Sequence, residues 1–220
     1  MARDHARLFT SIWADPDFRR LKAAEQHAYF TVLSDNALTH CGTGILTVKR
    51  WTGQSAGMTE RAFRRSLDVL EEHRYLVNDW DTDEVLVRSL LRRDKVFRLP
   101  NVAKSAYTTW KSLHSPRVRA EVLFEVHRIH EGPASDRTDK SFDDEYVADW
   151  LQEPLPEGLP EGFLKGFEEG SPDGFAQPIP KGFLARVHSA RSIAITSSKA
   201  PDSATPPPKG WRPQSGQEAS

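Results

Sequence analysis

Arg61, Arg64 and Arg65 crowd into five consecutive positions at the start of a segment whose apolar residues recur at helical spacing. A guanidinium is a planar fork of donors that matches phosphate oxygens and the O6/N7 edge of guanine, so clustered arginines on one helix face suit recognition of a polyanion. At about 100° per residue, Phe63, Leu67 and Leu70 fall within an arc of about 60° and form the inward stripe. Arg61 and Arg65 lie opposite that stripe, with Arg64 at its side. Asp68 and Glu72 also face outward, but nearer the C-terminal end, so positive charge concentrates in the first two turns. The competing reading is a solvated face with an Arg64–Asp68 pair, worth about 0.3–0.5 kcal/mol.

The neighbouring segments position this helix. Leu46-Thr47-Val48-Lys49-Arg50-Trp51 opens a short helix and Gly57-Met58-Thr59 makes a turn. Thr59 to Tyr75 is the longer amphipathic helix, and Leu76 to Leu91 is expected to fold as two strands about Asp81-Thr82-Asp83-Glu84. Ile45-Leu46 supplies a short strand to pair with that hairpin. Helix, turn, helix, hairpin is the plan of a winged helix-turn-helix, whose second helix enters the DNA major groove. Upstream, Asp15-Pro16-Asp17 reads as a helix start, with Asp15 as N-cap and Pro16 at the first helical position. Ala24 to Leu33 continues as helix, and Asn36 to Gly44 is a loop rich in small and polar residues.

Cations follow the hairpin at once. Arg88, Arg92, Arg93, Lys95, Arg98, Lys104, Lys111, Arg117 and Arg119 stand against one acid, Asp94, with Phe97, Tyr107 and Trp110 between them. Such density suits phosphate neutralisation by counterion release, and the alternative is a solvated basic surface. Asn101 to Leu113 and Pro116 to His130 are expected to be two further helices, the latter striped by Val118, Val122, Val126 and Ile129. The expected DNA-binding set is therefore Lys49, Arg50, Arg61, Arg64, Arg65, Arg88, Arg92, Arg93, Lys95, Arg98 and Lys104.

The formal net charge of −1 hides a division. Residues 1–130 carry a net +5 and residues 131–220 a net −6, a basic body joined to an acidic tail. The single Cys41 excludes an internal disulfide and a cysteine-built zinc site, and it suits a reducing compartment. No apolar run approaches the ~18 residues of a membrane span. Met1-Ala2-Arg3-Asp4-His5 lacks a signal-peptide core, so a cytoplasmic location is expected.

Other constellations carry less. His127 and His130 share a spacing compatible with a metal but have no evident third ligand, so no metal site is expected. His40-Cys41 resembles half of a nucleophile–base pair without an orienting partner. Phosphate-binding, dinucleotide-binding, zincin and serine-hydrolase motifs are absent, and neither an enzyme nor a cofactor is expected. Trp13, Trp51 and Trp80 are assigned to the core.

From Glu131 the composition changes. Asp139 to Leu151 is acidic with embedded aromatics and is expected to form a transient helix. A degenerate repeat follows: Pro156-Glu157-Gly158-Leu159, Pro160-Glu161-Gly162-Phe163, Lys165-Gly166-Phe167, Pro172-Asp173-Gly174-Phe175 and Pro180-Lys181-Gly182-Phe183. Recurrent Gly and Pro oppose regular structure, so this region is expected to be disordered. Phe163, Phe167, Phe175 and Phe183 are then contact points for a partner, or drift in an unconstrained tail. Truncation after about Gly132 is expected to leave the body folded.

The chain resembles a group of small winged-helix proteins encoded by actinobacterial phages and prophages. The resemblance rests on Met1-Ala2-Arg3-Asp4-His5-Ala6-Arg7 with Phe9 and Trp13, and on Asp15-Pro16-Asp17-Phe18. It continues through Leu46-Thr47 with Arg50-Trp51 and through Arg92-Arg93-Asp94-Lys95-Val96-Phe97 leading to Pro100-Asn101-Val102, and the Pro-Glu-Gly-Phe tail is similar in style. The group is similar to phage replisome organisers and replication initiators, which implies binding of double-stranded origin DNA and recruitment of a replicative helicase or another replication protein.

The expected fold is mainly α with a small β-hairpin wing. A winged helix-turn-helix domain occupies residues 1–95, a basic helical extension 96–131 and an acidic, Pro/Gly-rich disordered tail 132–220. Three functions fit: a phage replication initiator, a winged-helix transcriptional regulator acting as a homodimer on a palindrome, and a protein-interaction module that binds no DNA.

Overall fold

The computed structural model describes residues 5–94, 96–131, 145–160, 163 and 180–187. Within them the chain is mainly helical, with one small three-stranded antiparallel sheet. Among the described residues no helix is long and apolar enough to cross a membrane.

After a 3-10 turn at Thr10–Ala14, α1 spans Pro16–Arg20. Asp15 caps it as expected, its Oδ1 accepting from the Asp17 N–H at 2.9 Å with Pro16 in the first turn. Helix α2 (Ala23–Leu33) follows, its start held by Glu25 Oε2 accepting from the Lys22 N–H at 2.6 Å. Then come β1 (Thr43–Ile45), α3 (Val48–Thr52) and α4 (Glu60–Glu72). Strands β2 (Leu76–Asp79) and β3 (Glu84–Val87) complete a sheet of order β1-β3-β2. The register pairs Thr43 with Leu86 and Leu76 with Val87.

Helix α4 stops short of the expected Tyr75. Its C-terminus is a Schellman motif in which Tyr75 N–H donates to Leu70 C=O at 2.8 Å and Arg74 N–H to Glu71 C=O at 2.8 Å. Arg74 occupies the left-handed position at φ 60°, where glycine is the usual residue because a Cβ costs about 1–2 kcal/mol. The hairpin is also shorter than expected. Asp79 Oδ1 accepts from the Asp81 and Thr82 N–H groups, Asp83 turns the chain at φ 55°, and pairing ends at Val87. Leu90–Arg93 is a helical turn, α5, rather than strand.

The rest of the chain supplies α6 (Pro100–Ser112), α7 (Pro116–Glu131) and α8 (Glu145–Gln152). Side chains alternate across a strand, and here both faces of the sheet are covered. Leu76, Val85 and Val87 join Phe18, Tyr29, Trp51, Phe63, Leu67 and Leu70 in one core. Val77 and Leu86 point the other way, into a second core with Trp110, Val122, Leu123 and Trp150. The hairpin is thus a two-sided wall packed on α7, and its turn is what reaches outward. Helix α7 is buried almost all round, including Glu121, Glu125, His127 and Arg128. Glu84 accepts from the His114 and Ser115 N–H groups, and Ser115 Oγ accepts from the Val118 N–H at 2.9 Å, so α7 starts on β3.

Two expectations about the remainder are corrected. Within 132–220, residues 145–160 and a helical stretch at 181–187 are built into the second core. Val147, Trp150 and Val187 are buried there, and Phe183 is fully enclosed, edge-to-face with Phe124 at 5.2 Å. Glu131 accepts the N–H groups of Lys181 and Gly182 at 2.6 and 2.7 Å. A Cβ at Gly182 would lie 2.8 Å from Glu131 Oε1 and 2.9 Å from His127 Nδ1, so the close approach requires glycine. Phe183 is a core residue here rather than a contact point for a partner, and a cut after Gly132 would remove part of that core. Phe163 is half-buried against the same core, while Phe167 and Phe175 lie outside the described residues. Of the tryptophans assigned to the core, Trp51 is buried, Trp80 is half-buried and Trp13 is 48% exposed, its ring resting on Phe18 and Phe30.

Candidate nucleic-acid interface

Helix α4 is fixed from both ends and from behind. Thr59 caps it, its Oγ1 accepting from the Ala62 N–H at 3.2 Å. Phe63, Leu67 and Leu70 are fully buried against the first core, as the stripe predicts. The Asn78 side-chain amide on β2 donates to Leu67 C=O at 3.0 Å and to Glu71 Oε2 at 3.1 Å, locking helix to sheet. The outward face follows from that orientation. Arg61 and Arg65 are exposed, and among the described residues neither makes an ion pair or a side-chain hydrogen bond. Arg64 is exposed too, its guanidinium 4.4 Å from the centre of the Trp80 ring in the hairpin turn. That cation–π contact, rather than a pair with Asp68, holds the arginine and ties α4 to the turn.

The preceding helix contributes two cations. Lys49 is exposed. Arg50 is 48% exposed in its side chain and pairs with Asp35, which also accepts from Trp51 Nε1 at 2.6 Å. A phosphate at Arg50 would therefore compete with a nearly buried carboxylate.

The cation run after the hairpin fares differently, and here the expected set is corrected. Arg88 is buried, 2.6 Å from Glu121 and 3.4 Å from Glu125. Burial opposes its charge, but the Glu121 and Glu125 carboxylates outweigh that and hold its pKa above the usual arginine value. Arg92 Nε lies 3.2 Å from Glu125, and Arg128 3.6 Å from the same carboxylate. Arg88 and Arg92 are thus tied to acids of α7 and are not placed on a phosphate-facing surface. Lys111 pairs with Glu153 at 3.0 Å, Arg117 pairs with Glu71, and Arg119 lies over Trp110. Arg93 and Lys104 remain on the surface. Arg93 donates to Ser11 Oγ at 3.0 Å above Phe9, and Lys104 lies 5.3 Å from the Tyr146 ring. Lys95 and the side chain of Arg98 lie outside the described residues.

The other chemistry-bearing residues are absorbed by the fold. Cys41 Sγ is buried between the Thr39 and Thr43 hydroxyls rather than against His40, and burial raises its thiol pKa. Burial, with the Arg186 guanidinium nearby, lowers His127 to about 4. Among the described residues no three His, Cys, Asp or Glu side chains are grouped to hold a metal ion.

The buried acids are what sequence reasoning missed. Glu121 and Glu125 stand four apart on a helix otherwise striped with valine, and two acids beside an apolar stripe are the available signal for a buried cation partner. Neither a family model, nor a curated protein, nor a solved structure matches the chain.

Proposed function

We propose that this chain binds double-stranded DNA, with α4 entering the major groove. The order α2, β1, α3, α4, β2, β3, with β1 antiparallel to β3, supports reading the domain at residues 1–95 as a winged helix-turn-helix. The observation that carries the reading is the outward face of α4. Its first two turns present Arg61 and Arg65 without a carboxylate partner among the described residues, beside Arg64 stacked on Trp80. Unpartnered guanidinia on a helix anchored by its opposite face can meet base edges without first breaking an internal bond. Lys49, Arg93 and Lys104 are the exposed cations assigned to backbone phosphates.

Within that reading the role is replication initiation, as the resemblance to phage replisome organisers implies, with a replicative helicase or another replication protein as partner. Fluorescence anisotropy with duplex DNA across a salt series tests the binding. Substituting Arg61, Arg64 and Arg65 together with Ala should abolish sequence preference while circular dichroism stays unchanged. Unaltered duplex affinity in that variant overturns the docking. Mapping bound sites in a host genome should then find them at a replication origin; promoter sites would instead assign a regulator.

A further inference from the structure

Helix α4 carries two kinds of charge on its outward face, and phosphate recognition uses only one of them. At about 100° per residue, Arg61, Arg65, Asp68 and Glu72 lie within an arc of about 60°, opposite the buried stripe of Phe63, Leu67 and Leu70. All four side chains are exposed, and among the described residues none makes an ion pair or a side-chain hydrogen bond. A polyanion accounts for the two arginines. The two carboxylates on the same stripe would oppose it. Helix stability does not account for the order either, because cations in the N-terminal half and acids in the C-terminal half run against the helix macrodipole.

The order is complementary to its own reverse. Arg61 and Glu72 are equally far from the midpoint between Ser66 and Leu67, and so are Arg65 and Asp68. We propose that two copies of this chain pair through α4, antiparallel across a twofold axis at that midpoint. The axis sets Arg61 against Glu72 of the second copy and Arg65 against its Asp68, and symmetry repeats both pairs. From Arg61 to Glu72 the stripe runs about 16 Å along the helix, so the four pairs share one continuous face. Antiparallel packing also lays each basic N-terminal half beside the acidic C-terminal half of the other helix, where its charges and the dipole agree.

Exposed pairs contribute little each and are screened by salt, so the dimer is weak, with Kd on the order of 0.1–1 mM at low ionic strength. Its role rests on the DNA-binding reading. The dimer covers the arginines that would meet the duplex, so a second copy and DNA compete for one face.

Sedimentation equilibrium of the full-length chain tests the pairing. The wild type should associate at about 0.05 M sodium chloride and weaken at least tenfold by about 0.5 M. Arg61→Glu alone should be monomeric. Mixed with Glu72→Arg it should dimerise again, because every pair across the axis is then of opposite sign; mixed with Asp68→Arg it should not. All four residues are exposed, so circular dichroism should find each variant folded. The double variant Asp68→Asn, Glu72→Gln should lose the dimer and bind duplex DNA at least as tightly as the wild type. A wild type that stays monomeric at low salt, or a dimer untouched by Arg61→Glu, overturns the pairing. Equal rescue by Glu72→Arg and Asp68→Arg overturns the register on which it rests. Weaker duplex binding in the double variant overturns the competition and places the acids against bases. A chain that dimerises in this register yet binds no duplex keeps the pairing and sinks the DNA docking instead.

Discussion

On α4, Arg61 and Arg65 stand in solvent, with no carboxylate partner among the described residues; at the β3–α5 corner, Arg88 and Arg92 lie against Glu121 and Glu125 of α7. Both groups are dense runs of arginine in the sequence. What separates them is which acids the fold brings up from elsewhere. A solvated cation contributes little to stability and stays available for a ligand, whereas a buried one must be neutralised in place, and removing its partner leaves an uncompensated charge. Charge density along the chain therefore identifies an interface only after tertiary pairing has been subtracted.

The sharpest way to break this contrast is Glu125→Ala. Glu125 is fully buried within 3.6 Å of three guanidinia, so its loss should cost about 3–5 kcal/mol in urea denaturation. Arg61→Ala should stay within about 0.5 kcal/mol of wild type. Equal stabilities for the two variants would erase the distinction.

A pH series sharpens it next. His127 is held at about 4 when folded, against about 6.5 for an unfolded histidine. The unfolded chain takes up a proton that the folded chain refuses, so this contribution is complete above pH 6.5 and is lost as pH falls towards 4. The loss should be on the order of 2–3 kcal/mol, seen as the difference in slope between wild type and His127→Gln. Identical slopes would remove His127 as the cause.

Smaller effects concern the open face. Arg65→Ala should relax preference at one base pair by about 1–3 kcal/mol in competition assays. Arg93→Ala should weaken all duplex sequences alike and reduce the salt slope by about 1. Trp80→Ala, which frees Arg64 from its aromatic platform, should change affinity by only about 0.5–1 kcal/mol. An effect of Trp80→Ala larger than that of Arg65→Ala would mean that the hairpin turn, not α4, carries recognition.

Local signals were the reliable ones. The Asp15 cap, the stripe of Phe63, Leu67 and Leu70, and the helices α6 and α7 each depend on residues a few positions apart, and the structure contains all of them. Burial of the hairpin on both faces depends on α7, some thirty residues on. The unbroken apolar runs Tyr75-Leu76-Val77 and Val85-Leu86-Val87 were its local trace, since a strand with one wet face should alternate. For the candidate interface, helical geometry alone sorted Arg61, Arg64 and Arg65 outward. The fate of Arg88 and Arg92 turned on acids more than thirty positions away. Phe183 was hidden for a different reason: Pro180-Lys181-Gly182 looks like linker, and only the Glu131 carboxylate at its backbone shows why that turn is held.

The placement of Phe183 and Val187 bears on how the chain folds as it is made. The first core draws on residues between Ile12 and Leu90, so it can close once that stretch has left the ribosome. The second draws on residues from Cys41 to Val187 and cannot close until nearly the whole described chain has emerged. For that interval the face of the hairpin carrying Val77 and Leu86 is uncovered on the nascent protein, and its long-range contacts form slowly because distant segments must meet. Synthesis is therefore the time when this face is most open to aggregation, and a chaperone that shields it would act between the closing of the first core and that of the second.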